Sequence, residues 1–175
     1  MKKAAFAVGL AIAGLAGSML ARPADAALQY TLPLSYQRMT LDGQQTQGIF
    51  VPVIWLQSPR RPLGLEIDAG YGYLGGPSGG YSLLGGRLAV NLGLPIEGIM
   101  PFVGIEGYGN YALSRPAGVT GNPYGLAPRV GIKLDLGLVQ ADLHASYGPV
   151  WGLSGPTGPL DGERLDMGGR LRFVL

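Results

Sequence analysis

From Leu28 to the C-terminus, apolar and polar residues alternate with period two in eight separate runs. Leu28, Tyr30, Leu32, Leu34 and Tyr36 alternate with Gln29, Thr31, Pro33, Ser35 and Gln37; Ile49, Val51, Val53 and Trp55 form a second run. Leu63, Leu65, Ile67, Ala69, Tyr71 and Tyr73 oppose Glu66 and Asp68, and Leu84, Leu88, Val90 and Leu92 oppose Arg87 and Asn91. Ile99, Val103, Ile105 and Tyr111 oppose Glu106 and Asn110; Leu126, Val130, Ile132, Leu134 and Leu136 oppose Arg129, Lys133 and Asp135. Val139, Ala141, Leu143, Ala145, Tyr147 and Trp151 oppose Gln140, Asp142, His144 and Ser146. The last run sets Leu165, Met167, Leu171, Phe173 and Leu175 against Asp166, Arg170 and Arg172. Period two predicts strands whose two faces want different surroundings. The 31 Gly and 14 Pro work against long helices, and with only 14% charged residues the chain is too apolar to be disordered.

The connections predicted between these runs alternate in length. Segments 58–62, 93–98 and 136–138 are short; segments 38–47, 75–80, 112–123 and 153–162 are mostly longer and polar or rich in Gly and Pro. Short turns at one end and longer loops at the other are the mark of a membrane barrel, with both termini on the short-turn side. The aromatic residues are expected in two belts. Tyr36, Phe50, Tyr71, Tyr73, Tyr81, Tyr108, Tyr111, Tyr124, Tyr147 and Trp151 lie toward the long-loop end, and Tyr30, Trp55, Phe102 and Phe173 toward the other. Periodicity does not tell inside from outside, so a soluble exported barrel such as a lipocalin-like carrier stays open. Loop asymmetry and belts favour the inverted arrangement, an all-β, eight-stranded antiparallel up-and-down transmembrane β-barrel.

The first 26 residues read as a leader. Met1-Lys2-Lys3 is a basic start, 4–20 is an apolar stretch rich in small residues, and Ala24-Asp25-Ala26 fits the small-x-small cleavage rule. Export with cleavage near Ala26 is expected, leaving 27–175 as a single domain in the outer membrane. Of 13 basic residues three (Lys2, Lys3, Arg22), and of 11 acidic residues one (Asp25), fall in that leader, so ten of each remain. A mature chain without net charge gives no footing for a nucleic-acid partner. The absence of Cys excludes both disulfide staples and a lipid anchor on cysteine.

With these features the chain resembles the small eight-stranded outer-membrane barrels: the OmpA membrane domain, OmpX and the opacity-type proteins. The resemblance covers essentially all of 28–175 as pattern and is sharpest at the C-terminus. Members of that group carry an assembly signal of the form polar-x-Gly-x-x-apolar-x-apolar, which Asp166, Gly168, Leu171 and Phe173 fit in order. The departure is Val174-Leu175, where members usually end on an aromatic residue. The resemblance implies two partners, outer-membrane lipid and the barrel-assembly machinery; it names no surface ligand. The segment 101–113 also looks like the glycine-aromatic strands of this group.

On the inverted reading the interior receives Glu66, Asp68, Arg87, Glu106, Arg129, Lys133, Asp135, Asp142, His144, Asp166, Arg170 and Arg172. An eight-stranded barrel is about wide enough for its side chains to fill, so a polar core of ion pairs is expected, with a narrow ion path as the functional alternative. Mixed signs speak against a strongly charge-selective pore. Asp142, the sole His (His144) and Ser146 share one strand face, the materials of a nucleophilic triad. Spacing of two keeps them roughly 6–7 Å apart, and a relay needs direct hydrogen bonds. The His-x-Ser pair resembles that of the eight-stranded lipid A deacylases, with Glu163 as a conceivable third member. That resemblance implies a lipid-facing site, yet Leu143, Ala145 and Tyr147 claim the apolar face. One His without Cys forms no zinc motif, 75–80 lacks the Lys of a phosphate loop, and Glu66 with Asp68 is a weak Ca²⁺ signal. No catalytic residue, metal or cofactor is assigned. The expected role is non-enzymatic, structural or surface-interacting, with a small ion channel, a lipid A hydrolase and a soluble carrier as alternatives.

Overall fold

The computed structural model describes residues 29–57 and 62–174. The expected leader, Leu28, most of turn 58–62 and Leu175 lie outside them. Seven long strands follow in order: β1 (Gln29–Leu41), β2 (Gln44–Gln57), β3 (Leu63–Gly76), β4 (Gly79–Gly93), β5 (Ile99–Ser114), β6 (Thr120–Asp135) and β7 (Val139–Gly155). A two-residue β8 (Gly158–Pro159) folds back on the end of β7, and β9 (Gly162–Val174) completes the chain. Each long strand pairs antiparallel with its sequence neighbours, β7 pairs β9, and β9 pairs β1 over its whole length from Gln29↔Val174 to Leu41↔Gly162. The eight long strands therefore form a closed up-and-down barrel without a free edge, the all-β class expected from the alternation. Among the described residues there is no helix.

The barrel has two storeys. In the lower one, toward turns 94–98 and 136–138, aliphatic side chains point outward: Leu65, Leu88, Val90, Val103, Ile105, Leu126 and Val130 are all exposed. Charged side chains point inward. From Leu63 to Tyr73 on β3 this band rises ~25 Å, at ~3.3 Å per residue and a tilt of about 40°. A row of rings tops it. Tyr71 and Tyr111 flank Leu84 in register, Tyr73 and Tyr36 flank Ile49, and Tyr124 faces Trp151 with ring centroids 6.0 Å apart. Above the rings the alternation reverses. Arg38, Thr40, Gln45, Gln47 and Glu163 now face outward, while Met39, Leu41, Leu74, Tyr81, Leu83, Val150 and Leu153 are buried inside as one apolar cluster. Water outside and apolar contact inside is the order of a soluble barrel; the lower storey has the opposite order.

That reversal corrects the expected loops. Segments 38–47, 75–80, 112–123 and 153–162 are largely strand, closed by tight hairpins at Asp42-Gly43 and Pro77-Ser78, by 115–119, and by the turn around β8. Asp42 and Gly43 take the positive φ values, 45° and 77°, that a two-residue hairpin requires. The difference in loop length that the sequence suggested is a difference in what the strands face.

The second aromatic belt is corrected as well. A bulge between Pro52 and Ile54 makes Val53 an extra residue on β2, so that Ile54 pairs Ala69 and Trp55 pairs Asp68. One extra residue inverts the face of everything after it. Trp55 consequently points into the lumen, where Phe102 also lies buried, as do Phe50, Tyr81 and Tyr108 farther up. Phe173 is half-buried at the turn end, and the side chain of Tyr30 lies outside the described set.

Candidate functional site

The lumen of the lower storey holds five buried carboxylates (Glu66, Asp68, Glu106, Asp142, Asp166), five buried cations (Arg87, Arg129, Lys133, Arg164, Arg170) and His144. Their side chains project from β3 to β7 and β9, because each sits on the inward parity of its strand. Eight of them form a closed ring of alternating sign. Arg87 joins Asp68 (2.8 Å) to Asp166 (3.0 Å), and Arg164 joins Asp166 (2.6 Å) to Glu106 (3.0 Å). Arg129 reaches from Glu106 (4.0 Å) to Glu66 (3.1 Å), and Arg170 closes the circuit from Glu66 to Asp68 (2.8 Å). Every guanidinium in the ring thus meets two of its carboxylates, Arg170 approaches Asp142 as well at 3.9 Å, and every ring carboxylate meets two guanidiniums. Ionised groups stay buried only when paired and hydrogen-bonded in this way.

Each guanidinium of the ring also lies over an aromatic ring. Arg87 covers Phe50 at 5.0 Å, Arg129 covers Phe102 at 5.6 Å, Arg164 covers Tyr108 at 4.0 Å and Arg170 covers Trp55 at 4.4 Å. Planar, weakly hydrated guanidinium suits this position between a ring face and a carboxylate better than a Lys ammonium does. Three of the rings are seated over glycine in register: Phe50 beside Gly72, Phe102 beside Gly131 and Tyr108 beside Gly125. A Cβ at Gly131 would stand 2.3 Å from Phe102 Cζ, and one at Gly125 would stand 2.6 Å from the Tyr108 hydroxyl. The lumen is therefore built in radial layers: glycine wall, aromatic ring, arginine, and carboxylate.

Polar neighbours complete the circuit. Ser35 Oγ and Gln37 Nε2 each donate to Asp166 at 2.8 Å, Ser146 Oγ donates to Glu106 at 3.2 Å, and Asn91 Nδ2 donates to Glu66 at 3.4 Å. Lys133 approaches Asp142 at 3.8 Å just below the ring, where Gln57 Nε2 also donates to Asp142 at 3.2 Å. His144 places Nε2 3.5 Å from Asp166. Above the ring, the apolar cluster of the upper storey fills the lumen.

Most of the expected interior residues therefore meet in one place. Lys133, Asp142 and His144 border the ring, and two residues lie apart from it. Asp135 is half-buried at the turn end, where it accepts from the Gly137 N–H and from Gln140 Nε2. Arg172, also half-buried, lies over Trp55 at 5.1 Å, with Nη1 3.5 Å from Gln140 Oε1. One ring member, Arg164, was missed by the sequence reading, while Ser35, Gln37 and Asn91 were read on the polar face of their strands without being named among the interior groups. Arg164 shares the parity of Asp166 and Arg170 on β9, so continuing the alternation two residues upstream was the signal that could have found it. His144 and Ser146 face the buried lumen and not the apolar outer face, while Glu163 is on the outer face bonded to the Tyr147 hydroxyl. The deacylase-like pairing of these three residues is not assembled.

No family model and no curated protein matches the chain. Among solved structures, it is similar to the crystal structure of Neisserial surface protein A, at 12% identity and a TM-score of 0.51, covering 84% of this chain and 99% of that one. A crystal structure of the outer membrane enzyme PagL aligns at 16% identity and a TM-score of 0.42, covering 82% of this chain and 99% of that one. At such identities the likeness concerns the fold alone, an eight-stranded antiparallel barrel like that of Neisserial surface protein A.

Proposed function

We propose that the mature chain is a non-enzymatic outer-membrane barrel with a structural or surface-interaction role, its upper storey standing in water outside the cell. One observation carries this reading: the alternation reverses at the row of tyrosines. Below the row, the outer face is apolar and the lumen ionic, an order that hydrocarbon around the barrel favours. Above it the order is that of a soluble barrel. A lipocalin-like carrier would keep its apolar face inward throughout. The filled lumen supports a structural role over conduction, since the ionic ring and the apolar cluster succeed one another along its axis. The upper end offers a surface for partners: a cup of about 240 Å³ between the hairpin tips, walled by Pro77, Pro116 and Pro156. Export through cleavage near Ala26, and recognition of Asp166, Gly168, Leu171 and Phe173 by the assembly machinery, belong to this proposal.

The test is expression of the full chain with lipid analysis and planar-bilayer recording on the same purified protein. A folded barrel that shifts migration between unboiled and boiled samples, leaves lipid A acylation unchanged and shows no discrete conductance is the expected result. Altered acylation abolished by His144→Ala, or unitary conductance steps, would replace the proposal with the hydrolase or the channel.

A further inference from the structure

The two described turns at the lower end carry apolar residues at their tips. In 94–98, Leu94 is 65% exposed and Ile96 56%; in 136–138, Leu136 is 69% exposed and Leu138 71%. These are among the most exposed large apolar side chains of the barrel. The one charged side chain of 94–98 is Glu97, and that of the adjoining strand end, Asp135, is folded back onto the Gly137 N–H. Short turns in contact with water favour Gly, Asn, Asp and Ser, so leucine at both ends of a three-residue turn has no explanation in turn chemistry. Turn 58–62, which contains Arg60 and Arg61, falls largely outside the described residues, and the inference does not extend to it.

Three features together identify what covers these tips. The apolar tips continue the lipid-facing band, with the exposed Glu97 as the one charged residue between Ile96 and Ile99. The described aromatic belt lies at the upper end; of the aromatic residues expected at the lower end, the bulge turns Trp55 inward, Phe102 is buried and Phe173 is half-buried. From Ile99 to Tyr111 on β5, and from Val139 to Trp151 on β7, the strands rise ~30 Å, the thickness of a bilayer hydrocarbon core. With the tyrosines at the upper interface, the turns arrive at the lower one.

We infer that Leu94, Ile96, Leu136 and Leu138 are a lipid-binding surface, seated among the acyl chains of the inner-facing leaflet. This rests on the membrane reading above. Anchoring is then asymmetric: tyrosines fix the upper interface by their amphipathic rings, and leucine-tipped turns fix the lower one by burial. The barrel sits low in the membrane, and its polar exterior projects on the upper side only.

The chain has no Cys, so single spin labels report without background. Leu94→Cys, Ile96→Cys, Leu136→Cys and Leu138→Cys are labelled in the full mature chain, folded into phosphatidylethanolamine–phosphatidylglycerol vesicles. Leu88→Cys in the mid-band and Thr157→Cys at an upper hairpin serve as references, and each variant is first checked for heat-modifiable migration. The four positions are independent, so one that fails to fold is replaced by another. The expected result is collision with a water-soluble nickel chelate roughly tenfold lower at the turn positions than at 157, because polar solutes are excluded from hydrocarbon. Turn positions as open to the chelate as 157, with 88 still protected, would overturn the inference and leave the membrane reading intact. Protection that appears only in native outer membranes would overturn it in favour of a protein partner. Chelate access at 88 itself would overturn the membrane reading.

Discussion

The His144 ring lies directly across the β7–β9 ladder from Gly168, where a Cβ would stand 2.4 Å from its Cε1 and 2.5 Å from its Nε2. Glycine at 168 is therefore a packing requirement of the lumen. Gly168→Ala is expected to destabilise the barrel by ~1–3 kcal/mol, the usual effect of overpacking a filled core. Adding His144→Ala should remove most of that loss. Urea-unfolding midpoints of the two single variants and the double variant measure it; a loss that His144→Ala leaves untouched would mean that the His144 contact is not its source.

Asp166 joins Arg87 to Arg164 and accepts from Ser35 and Gln37. Removing one partner of a buried network leaves the others uncompensated, so Asp166→Ala is expected to cost about 3–5 kcal/mol. Glu163→Gln, on the exposed face of the same strand, should stay within ~1 kcal/mol. The ratio of folded to unfolded forms in a urea series separates these outcomes. Equal effects at the two positions would contradict the ring as a stabilising core.

The bulge at Val53 gives the two tryptophans opposite surroundings. Trp55 lies under Arg170 and Arg172, while Trp151 belongs to the outer row of rings. In vesicles containing brominated lipid, Trp151 left alone by Trp55→Phe should be strongly quenched. Trp55 left alone by Trp151→Phe should keep most of its emission. Comparable quenching would place Trp55 outside and remove the bulge.

The apolar cluster around Tyr81, Leu83 and Leu153 lies above the ionic ring. Breaking the ring alone should not open a path, so Arg129→Ala and Glu106→Ala are expected to remain silent in planar bilayers, as is the unaltered protein. Discrete conductance in either variant would show that the upper cluster does not seal the lumen.

Period two was enough to place Glu66, Asp68, Arg87, Glu106, Arg129, Lys133, Asp142, His144, Asp166 and Arg170 on one face of their strands, because side-chain direction in a strand depends on parity alone; that this face turns inward did not follow from the period. Parity fails where the backbone gains a residue, and Val53 is such a place; Pro52 beside it, which has no N–H for the ladder, is the signal that could have announced the bulge. The upper storey was read as loops for a different reason. Around Arg38–Gln47 and 153–162 the outer face is polar and the inner one apolar, so the rule that held below the tyrosines changes sign. Pairing within the ring was not legible at all. Which arginine reaches which carboxylate depends on the stagger of strands around the barrel, and Arg170 meets Asp68 across 102 positions of sequence. The aromatic partners of the arginines follow from the same stagger.

The most direct measurement is fractionation of cells expressing the full chain, with the mature protein followed by unboiled and boiled electrophoresis. Recovery in the outer-membrane pellet after a carbonate wash, released only by detergent and migrating differently on boiling, is the expected result. Recovery in the periplasmic supernatant without detergent would contradict a barrel whose apolar band faces lipid.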